Sequence, residues 1–296
     1  MATRQQPRGS SVAAAADNDD EEANHHPASS CGGCCSTFQK TISDLVLTTD
    51  EDKLEYLTHY NCAPPPLFSL LVCLTELVVF VYYGVSSHRR SWLSMDAALV
   101  DSPLIYDPYR REEAWRFLSY MLLHADLEHV LGNVLLQLTI GVMLEMVHKS
   151  TRVVIVFMSG VLAGSLASSI FDPYVFLCGA SGGVYALFGG FLVNVILNWS
   201  RMAFNGLHLV AISVIVVTDL GFSIWRRLAF DEAAVSLTAH IAGGLAGISI
   251  GSVAFRSYKQ DLSKDLSWWV SIGSYIFMCS VAVLWNMFLS PVGTLL

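Results

Sequence analysis

Charged residues are scarce in this sequence. Only 14% of its 296 residues are Asp, Glu, Lys or Arg, whereas 53% are hydrophobic. Soluble domains carry roughly 25% charged residues, so the composition argues against a soluble domain and predicts a membrane protein. The net charge of −8 arises mainly in residues 1–66, which hold ten acidic and four basic residues. A basic patch for nucleic acid is absent, and we expect no nucleic-acid partner.

The seven cysteines form no disulfide framework. Three of them, Cys31, Cys34 and Cys35, cluster in the polar tail, where we expect free thiols, with reversible palmitoylation as the alternative. No second Cys/His pair completes a tetrahedral set beside them. We therefore expect no metal and no cofactor. The first twenty-odd residues lack an apolar core, so we expect no cleavable signal peptide and a first membrane span that directs targeting.

The first 66 residues are expected to be a largely disordered tail. Residues 1–35 are rich in Ala, Ser, Asn and acidic residues, a composition typical of disorder. Thr48 followed by Glu51 predicts a capping box and one short helix. Three consecutive prolines end the tail, and a single membrane domain over residues 67–296 is predicted to follow.

The predicted fold class is an all-α polytopic membrane protein. A membrane span needs about 20 mainly apolar residues. Seven stretches qualify, at residues 67–86, 125–147, 153–171, 176–198, 206–225, 236–255 and 266–289. A long polar and aromatic loop, 87–124, separates the first two. Counting Lys and Arg gives eight on one side and seven on the other, so the positive-inside rule leaves the orientation open.

Polar residues inside spans are candidates for function because they are unfavourable there. Most of them lie near the starts of three spans: His124, His129 and Asn133 in the second, Ser181 in the fourth and His240 in the sixth. Even-numbered spans cross in the same direction, so their first residues share one side of the membrane. At about 1.5 Å per residue, Ser181 and His240 are both expected roughly 6–8 Å below their helix starts.

A serine nucleophile needs its base within about 2.6–3.2 Å, so spans four and six must pack closely. Small residues at every fourth position permit such contact in lipid. They occur at Gly182, Ala186 and Gly190 in span four, and at Ala239, Gly243, Gly247 and Gly251 in span six. Span three repeats the pattern at Gly160, Gly164 and Ser168, so the pattern alone is not specific to catalysis.

His129 and Asn133 are four residues apart and therefore share a helix face. Both side chains can donate hydrogen bonds, as an oxyanion site requires, together with the backbone N–H of Ser181. Tyr185, one turn after Ser181, is placed to pack against the imidazole of His240 and fix its orientation.

No carboxylate is predicted to complete a triad. Asp126 and Glu128 flank the histidines and are expected to face the loop, so we expect a Ser–His dyad. Glu76 and Asp219 lie inside spans one and five. Each is either part of a proton path or gate hinge, or a hydrogen-bonded packing group, and we favour packing. Asp219 is also close enough to Arg226 in sequence to pair with it.

Taken together, these residues resemble the rhomboid intramembrane serine proteases over most of residues 67–296. The second-helix motif is matched by His124, His129 and Asn133, the nucleophile motif by Gly179-Ala180-Ser181-Gly182 with Tyr185, and the base motif by Ala239-His240 with Gly243 and Gly247. Trp115-Arg116 resembles the structural pair of the long loop, and Glu145 resembles the second-helix glutamate.

The resemblance implies a six-helix rhomboid bundle with one extra C-terminal helix, 266–289, as in the animal secretase-type branch. It implies Ser181 as nucleophile, His240 as base, His129 and Asn133 at the oxyanion, and support from Tyr185, Gly179 and His124. It also implies single-span membrane substrates such as growth-factor precursors, a cytosolic N-terminus and a lumenal or extracellular active site. Plasma membrane is favoured over Golgi. Span five is implied as a lateral gate, with Phe222 and Trp225 as gate side chains.

Two other function classes remain as alternatives. Catalytically silent relatives bind or escort membrane proteins, and some have Pro before the nucleophile position or lack the Ser or His. Here that position is Ala180, and Ser181 and His240 are present. A transporter would require ionisable residues near the bilayer midplane and internal repeats, whereas the key residues here are shallow and no repeat is visible.

Overall fold

The computed structural model describes residues 33–47, 49–60, 65–86, 97–200, 202, 204–230, 236–255 and 266–292. Helices dominate this part of the chain, and its one β-bridge joins Tyr106 to Leu177. The helices are α1 (Gly33–Val46), α2 (Asp50–His59), α3 (Leu67–Ser86), α4 (Ala97–Val100), α5 (Arg116–Ser119), α6 (Leu127–Leu136), α7 (Val142–His148), α8 (Ser150–Phe171), α9 (Ser181–Leu197), α10 (Asn205–Phe230), α11 (Leu237–Ala254) and α12 (Leu266–Phe288).

Among the described residues, six helical segments are long and apolar enough to cross a membrane, and α9 is a shorter apolar helix. The all-α polytopic fold is therefore confirmed. The second segment, Leu127–His148, joins α6 to α7 through a π-helical turn at Gln137–Gly141. Such turns insert one extra residue into a helix and change which side chains face its neighbours. Here the turn brings Gln137 against Glu76 of α3.

The predicted start of the fourth span is wrong. Residues 176–180 are not helical, and α9 begins at Ser181 itself. The backbone of Gly179 has a φ of +111°, which a right-handed helix excludes. Ser181 therefore occupies the first position of its helix rather than a position several residues below the start.

The helix α9 lies in the middle of the bundle, enclosed by α8 and α11. Close packing occurs at the small residues that the sequence pattern indicated. Added Cβ atoms on α11 would overlap the backbone of α9 at three successive turns, with Gly243 facing Gly182, Gly247 facing Ala186 and Gly251 facing Gly190. Gly160 of α8 faces Gly182 and Ala186 in the same way. The predicted close approach of spans four and six is confirmed.

The long loop is held in place by buried Arg116. Its guanidinium donates to the carbonyl oxygens of Ser102 and Ile105, both at 2.9 Å, and to the carboxylate of Glu113 at 2.6 Å. The bridge between Tyr106 and Leu177 then ties this loop to the segment that leads into α9. The loop therefore helps to set the position at which α9 begins.

Glu145 joins the start of α3 to α7 and α8. Its carboxylate accepts hydrogen bonds from the backbone N–H groups of Phe68 and Ser69, at 2.7 and 2.8 Å, and from the hydroxyl of Ser150 at 2.6 Å. A carboxylate at this position satisfies N–H groups that have no partner within their own helix.

Two helices precede the membrane-spanning part. Ile42 and Val46 of α1 are buried in the main apolar core. The short helix predicted for this region is present, but Thr49 rather than Thr48 caps it, accepting from the N–H of Asp52 at 3.1 Å. The expectation of a largely disordered 1–66 segment therefore does not hold for α1 and α2. Within this segment, residues 1–32, residue 48 and residues 61–64 lie outside the described residues.

Candidate active site

The segment before α9 places Ser181 at a helix N-terminus. The N–H of Gly179 donates to the carbonyl of Tyr120 at 3.1 Å. The first turn of α9 then closes on Ala180, whose carbonyl accepts from Gly183 and Val184 at 2.9 and 3.1 Å. The first N–H groups of a helix have no partner within the helix and carry a partial positive charge. The backbone N–H of Ser181 is one of these groups.

Gly179 is required here for two reasons. Its positive φ is unfavourable for residues with a Cβ, and a Cβ would lie 2.5 Å from the imidazole ring of His129. The imidazole of His129 therefore packs directly on the backbone that leads to Ser181.

Replacing Gly179 with Ala should lower the free energy of unfolding by about 1–2 kcal/mol, since a left-handed conformation costs about that much with a Cβ and His129 must also shift. Gly132→Ala in α6 is the matched control, because a Cβ there meets no atom of the described residues within 4 Å. Unfolding temperatures in detergent would be compared. A Gly179→Ala variant as stable as Gly132→Ala would contradict this account.

The first turn of α11 is fixed to the end of α8. Ser236 caps α11, accepting from the N–H of Ala239 at 3.2 Å, and its hydroxyl lies 2.9 Å from that of Ser168. Thr238 donates to the carboxylate of Asp172 at 2.5 Å. His240 follows within the same turn and is almost fully buried.

Ser181 and His240 meet between α9 and α11. The distance from His240 Nε2 to Ser181 Oγ is 2.8 Å. The ring of Tyr185 stacks on the imidazole, with centroids 4.4 Å apart and 13° between the planes. The predicted proximity and the predicted stacking are both confirmed. If the hydroxyl of Ser181 donates to Nε2, the ring proton of neutral His240 resides on Nδ1.

The start of α6 supplies the two candidate oxyanion donors. Asp126 caps the helix, accepting from the N–H of His129 at 2.7 Å. It is buried and does not face the loop as expected, whereas Glu128 is exposed. The side-chain amide of Asn133 donates to the carbonyl of His129 at 2.9 Å, which uses one of its two N–H groups.

His124 lies behind His129, with ring centroids 5.1 Å apart. Burial, and then the neighbouring His129, hold the pKa of His124 well below its usual range, so this imidazole is neutral at pH 7. Its Nε2 is 3.9 Å from the carboxyl of Glu76, whose two oxygens each lie 2.9 Å from the amide nitrogen of Gln137. These contacts match the expectation that Glu76 is a hydrogen-bonded packing group.

Comparison with known proteins agrees with this geometry. Residues 111–257 match the Rhomboid domain. Rhomboid-related protein 2 of Mus musculus is 51% identical over 240 residues, 80% of this chain and 80% of the relative. The chain belongs to the rhomboid family.

Other rhomboids are similar over comparable lengths. Rhomboid-related protein 3 of Homo sapiens is 38% identical across 82% of this chain and 61% of its own length. Inactive rhomboid-related protein 2 of Caenorhabditis elegans is 34% identical across 75% of this chain and 65% of its own length. The resemblance to the animal branch is confirmed, whereas membership of the family does not by itself specify activity.

The expectation that no carboxylate completes a triad stays a prediction for this rhomboid, but one carboxylate does lie near the Ser181–His240 pair. Asp219 of α10 has its Oδ2 atom 3.6 Å from His240 Nδ1 and accepts from the hydroxyl of Tyr185 at 2.6 Å. Span five runs in the opposite direction to the even-numbered spans. Its second half returns to the side of the membrane where α9 and α11 begin. The depth of Asp219 within span five is therefore the signal that would have placed it near His240. The side chain of Arg226 lies outside the described side chains.

The side chains implied as a gate lie further along α10. The rings of Phe222 and Trp225 are 5.6 Å apart and tilted by 32°. Both are exposed. Their role as gate residues remains a prediction.

Proposed function

We propose that this rhomboid is an intramembrane serine endopeptidase that cleaves single-span membrane proteins within or next to their transmembrane segment. The observation that carries the proposal is the 2.8 Å contact between Ser181 Oγ and His240 Nε2. A hydroxyl becomes an effective nucleophile when an oriented base lies within hydrogen-bond distance. The stacked ring of Tyr185 provides that orientation.

The proposed mechanism is acyl transfer. His240 Nε2 accepts the proton of Ser181 as Oγ attacks the scissile carbonyl carbon. The backbone N–H of Ser181, with His129 and Asn133, stabilises the oxyanion, and one such donor is typically worth about 3–4 kcal/mol. The imidazolium then protonates the leaving amine, which departs as the acyl-enzyme forms. Water, deprotonated by His240, hydrolyses the ester and regenerates Ser181. No cofactor takes part.

The substrate class and the orientation are part of the proposal. We expect growth-factor precursors and similar single-span proteins to lose their ectodomains. A transmembrane helix hides its scissile carbonyls in its own hydrogen bonds, so segments that unwind easily near the membrane surface should be favoured. The proposed N-terminus is cytosolic, the active site faces the lumen or the extracellular side, and the plasma membrane is favoured over the Golgi.

Reconstituted proteolysis tests this function. The full chain would be placed in liposomes with a labelled single-span growth-factor precursor, and products would be mapped by mass spectrometry. We expect one cut within or next to the transmembrane segment, together with covalent labelling of Ser181 by a fluorophosphonate. Failure of both reactions in folded protein would overturn the proposal.

The alternative is a catalytically silent protein that binds or escorts membrane clients. One observation keeps this alternative in place: a relative 34% identical to this chain is named an inactive rhomboid-related protein. In the same liposomes, a silent protein would retain the precursor uncut, and Ser181 would not react with the fluorophosphonate.

A further inference from the structure

Asp219 is an ionisable residue inside a transmembrane helix. It lies in the second half of the span Asn205–Trp225, between Thr218 and Leu220 and one turn before Phe222. A carboxyl group in such a helix is unfavourable unless a partner or a cavity receives it, and by default it marks a functional site. Its side chain is 41% exposed, so burial in the protein core does not explain its presence.

The described contacts of the Asp219 carboxyl are directed at the site. Tyr185 donates its hydroxyl to Oδ2 at 2.6 Å. The same Tyr185 stacks on His240. One side chain therefore holds both the imidazole ring and the carboxylate, and it orients the carboxylate towards the nitrogen that does not face Ser181.

That nitrogen is His240 Nδ1. It is buried, and it has no hydrogen-bond partner among the described residues. The Asp219 Oδ2 atom stands 3.6 Å away, somewhat beyond a direct hydrogen bond. Catalytic hydrogen bonds are often long in a free enzyme and shorten when substrate binds, and a bridging water also spans such a gap. A small inward movement of α10 is enough to close it.

We infer that Asp219 is a positioning residue for His240, a conditional third member of the catalytic group that engages when α10 packs against α9 and α11. The inference rests on the proposed function. The Asp219 carboxylate accepts a hydrogen bond from Nδ1–H of His240, which keeps the lone pair of Nε2 directed at Ser181. It also stabilises the imidazolium that forms when His240 takes the serine proton, because opposite charges at this distance attract strongly inside a protein.

One consequence links substrate entry to chemistry. Much of the surface of α10 is exposed, and only part of the helix contacts α9 and α11. If α10 moves aside to admit a substrate helix, Asp219 leaves His240, and the base regains its support only when α10 returns. Cleavage is then coupled to closure of the helix behind the bound substrate.

The central variant is Asp219→Asn, which keeps the shape and removes the charge. Two rates would be measured on the full chain. The first is labelling of Ser181 by a small fluorophosphonate, which needs no lateral entry of a helix. The second is cleavage of a single-span substrate, with kcat and KM determined separately. We expect the labelling rate and kcat each to fall about tenfold, with KM unchanged within twofold. Asp219→Glu should recover part of both losses.

Ser223→Ala is the matched control, because Ser223 lies one turn away on α10 and bonds only the backbone carbonyl of Asp219 among its described contacts. It should label and cleave like the parent. Tyr185→Phe keeps the stacked ring and removes the hydroxyl that holds Asp219. It should lower the labelling rate about threefold, and it should add no further loss to Asp219→Asn. This second variant tests the inference even if Asp219→Asn folds poorly.

The outcomes separate the inference from the proposed function. If the parent protein neither labels nor cleaves, the proposed function fails. If the parent reacts and folded Asp219→Asn labels at the parental rate, the inference alone fails. A change confined to KM would also overturn it, because Asp219 would then act on substrate entry rather than on His240.

Discussion

Alanine in place of Ser181 should abolish detectable peptide-bond cleavage, and glutamine in place of His240 should reduce it to the same level. The hydroxyl of Ser181 and the Nε2 atom of His240 are 2.8 Å apart and form one reacting unit. General-base assistance is worth about 10²–10⁴ in rate, and loss of the nucleophile removes the covalent route altogether. We expect at least a thousandfold loss for each variant.

The double variant gives the sharper result. Residues that act as a unit give strongly non-additive losses. Ser181→Ala combined with His240→Gln should therefore be no slower than either single variant. Multiplicative losses would indicate that the two side chains act independently, and the dyad would be wrong.

Matched controls come from elsewhere in the chain. Ser159 is a buried serine of α8 whose hydroxyl donates to the carbonyl of Val156. His208 is a buried histidine near the start of α10, where it meets the ring of Phe191. Ser159→Ala and His208→Gln test the general effects of losing a buried hydroxyl or imidazole, and both should cleave within a fewfold of the parent. Unfolding temperatures in detergent would show that all variants are folded.

The contact between Ser181 and His240 was predictable because it depends on periodicity and direction alone. Even-numbered spans begin on one side, and small residues at every fourth position specify which helix faces meet. Gly243, Gly247 and Gly251 indeed face α9. These features are local in the sequence, and no other part of the chain needs to be known to find them.

The start of α9 was not predictable from hydropathy. Residues 176–180 are apolar enough to read as part of a span, but Gly179 adopts a positive φ and the segment pairs with the long loop through Tyr106 and Leu177. The pairing depends on residues some 70 positions apart in the chain. Only the glycine at position 179, two residues before Ser181, indicated that the helix begins at Ser181.

The position of Asp219 beside His240 was not predicted, for a different reason. Span five runs in the opposite direction to the even-numbered spans, so it ends at the depth where its neighbours begin. The packing of α1 against the bundle was not predicted, because amphipathic periodicity in a polar tail does not identify the surface that its apolar face contacts. Ile42 and Val46 become core residues only where the bundle presents an apolar surface to them.

The stability of the site should depend most on Gly247. A Cβ at this position would overlap the carbonyl oxygen of Ala186 and lie 2.6 Å from its carbonyl carbon. These are backbone atoms of α9 and cannot rotate away. Gly247→Val should therefore force α9 and α11 apart and lower the free energy of unfolding by about 3 kcal/mol or more, the upper range for overpacked cores.

Thermal unfolding in detergent, with proteolysis measured in parallel, would test this expectation. We expect the unfolding temperature of Gly247→Val to fall by roughly 10 °C, since about 1 kcal/mol corresponds to a few degrees in a chain of this size. Gly273→Ala in α12 is the control, because a Cβ there meets nothing within 4 Å among the described residues. It should be neutral or slightly stabilising, since alanine favours the helix.

Activity should fall further than stability alone explains. Ser181 and His240 lie on the two helices that the valine separates, and proton transfer requires their 2.8 Å contact. Even the molecules that remain folded should cleave slowly, because a displacement of about 1 Å can lower a rate about 10²-fold. A Gly247→Val protein with parental stability and parental rate would show that α9 and α11 do not touch at this turn, and the close packing that brings serine and histidine together would need another explanation.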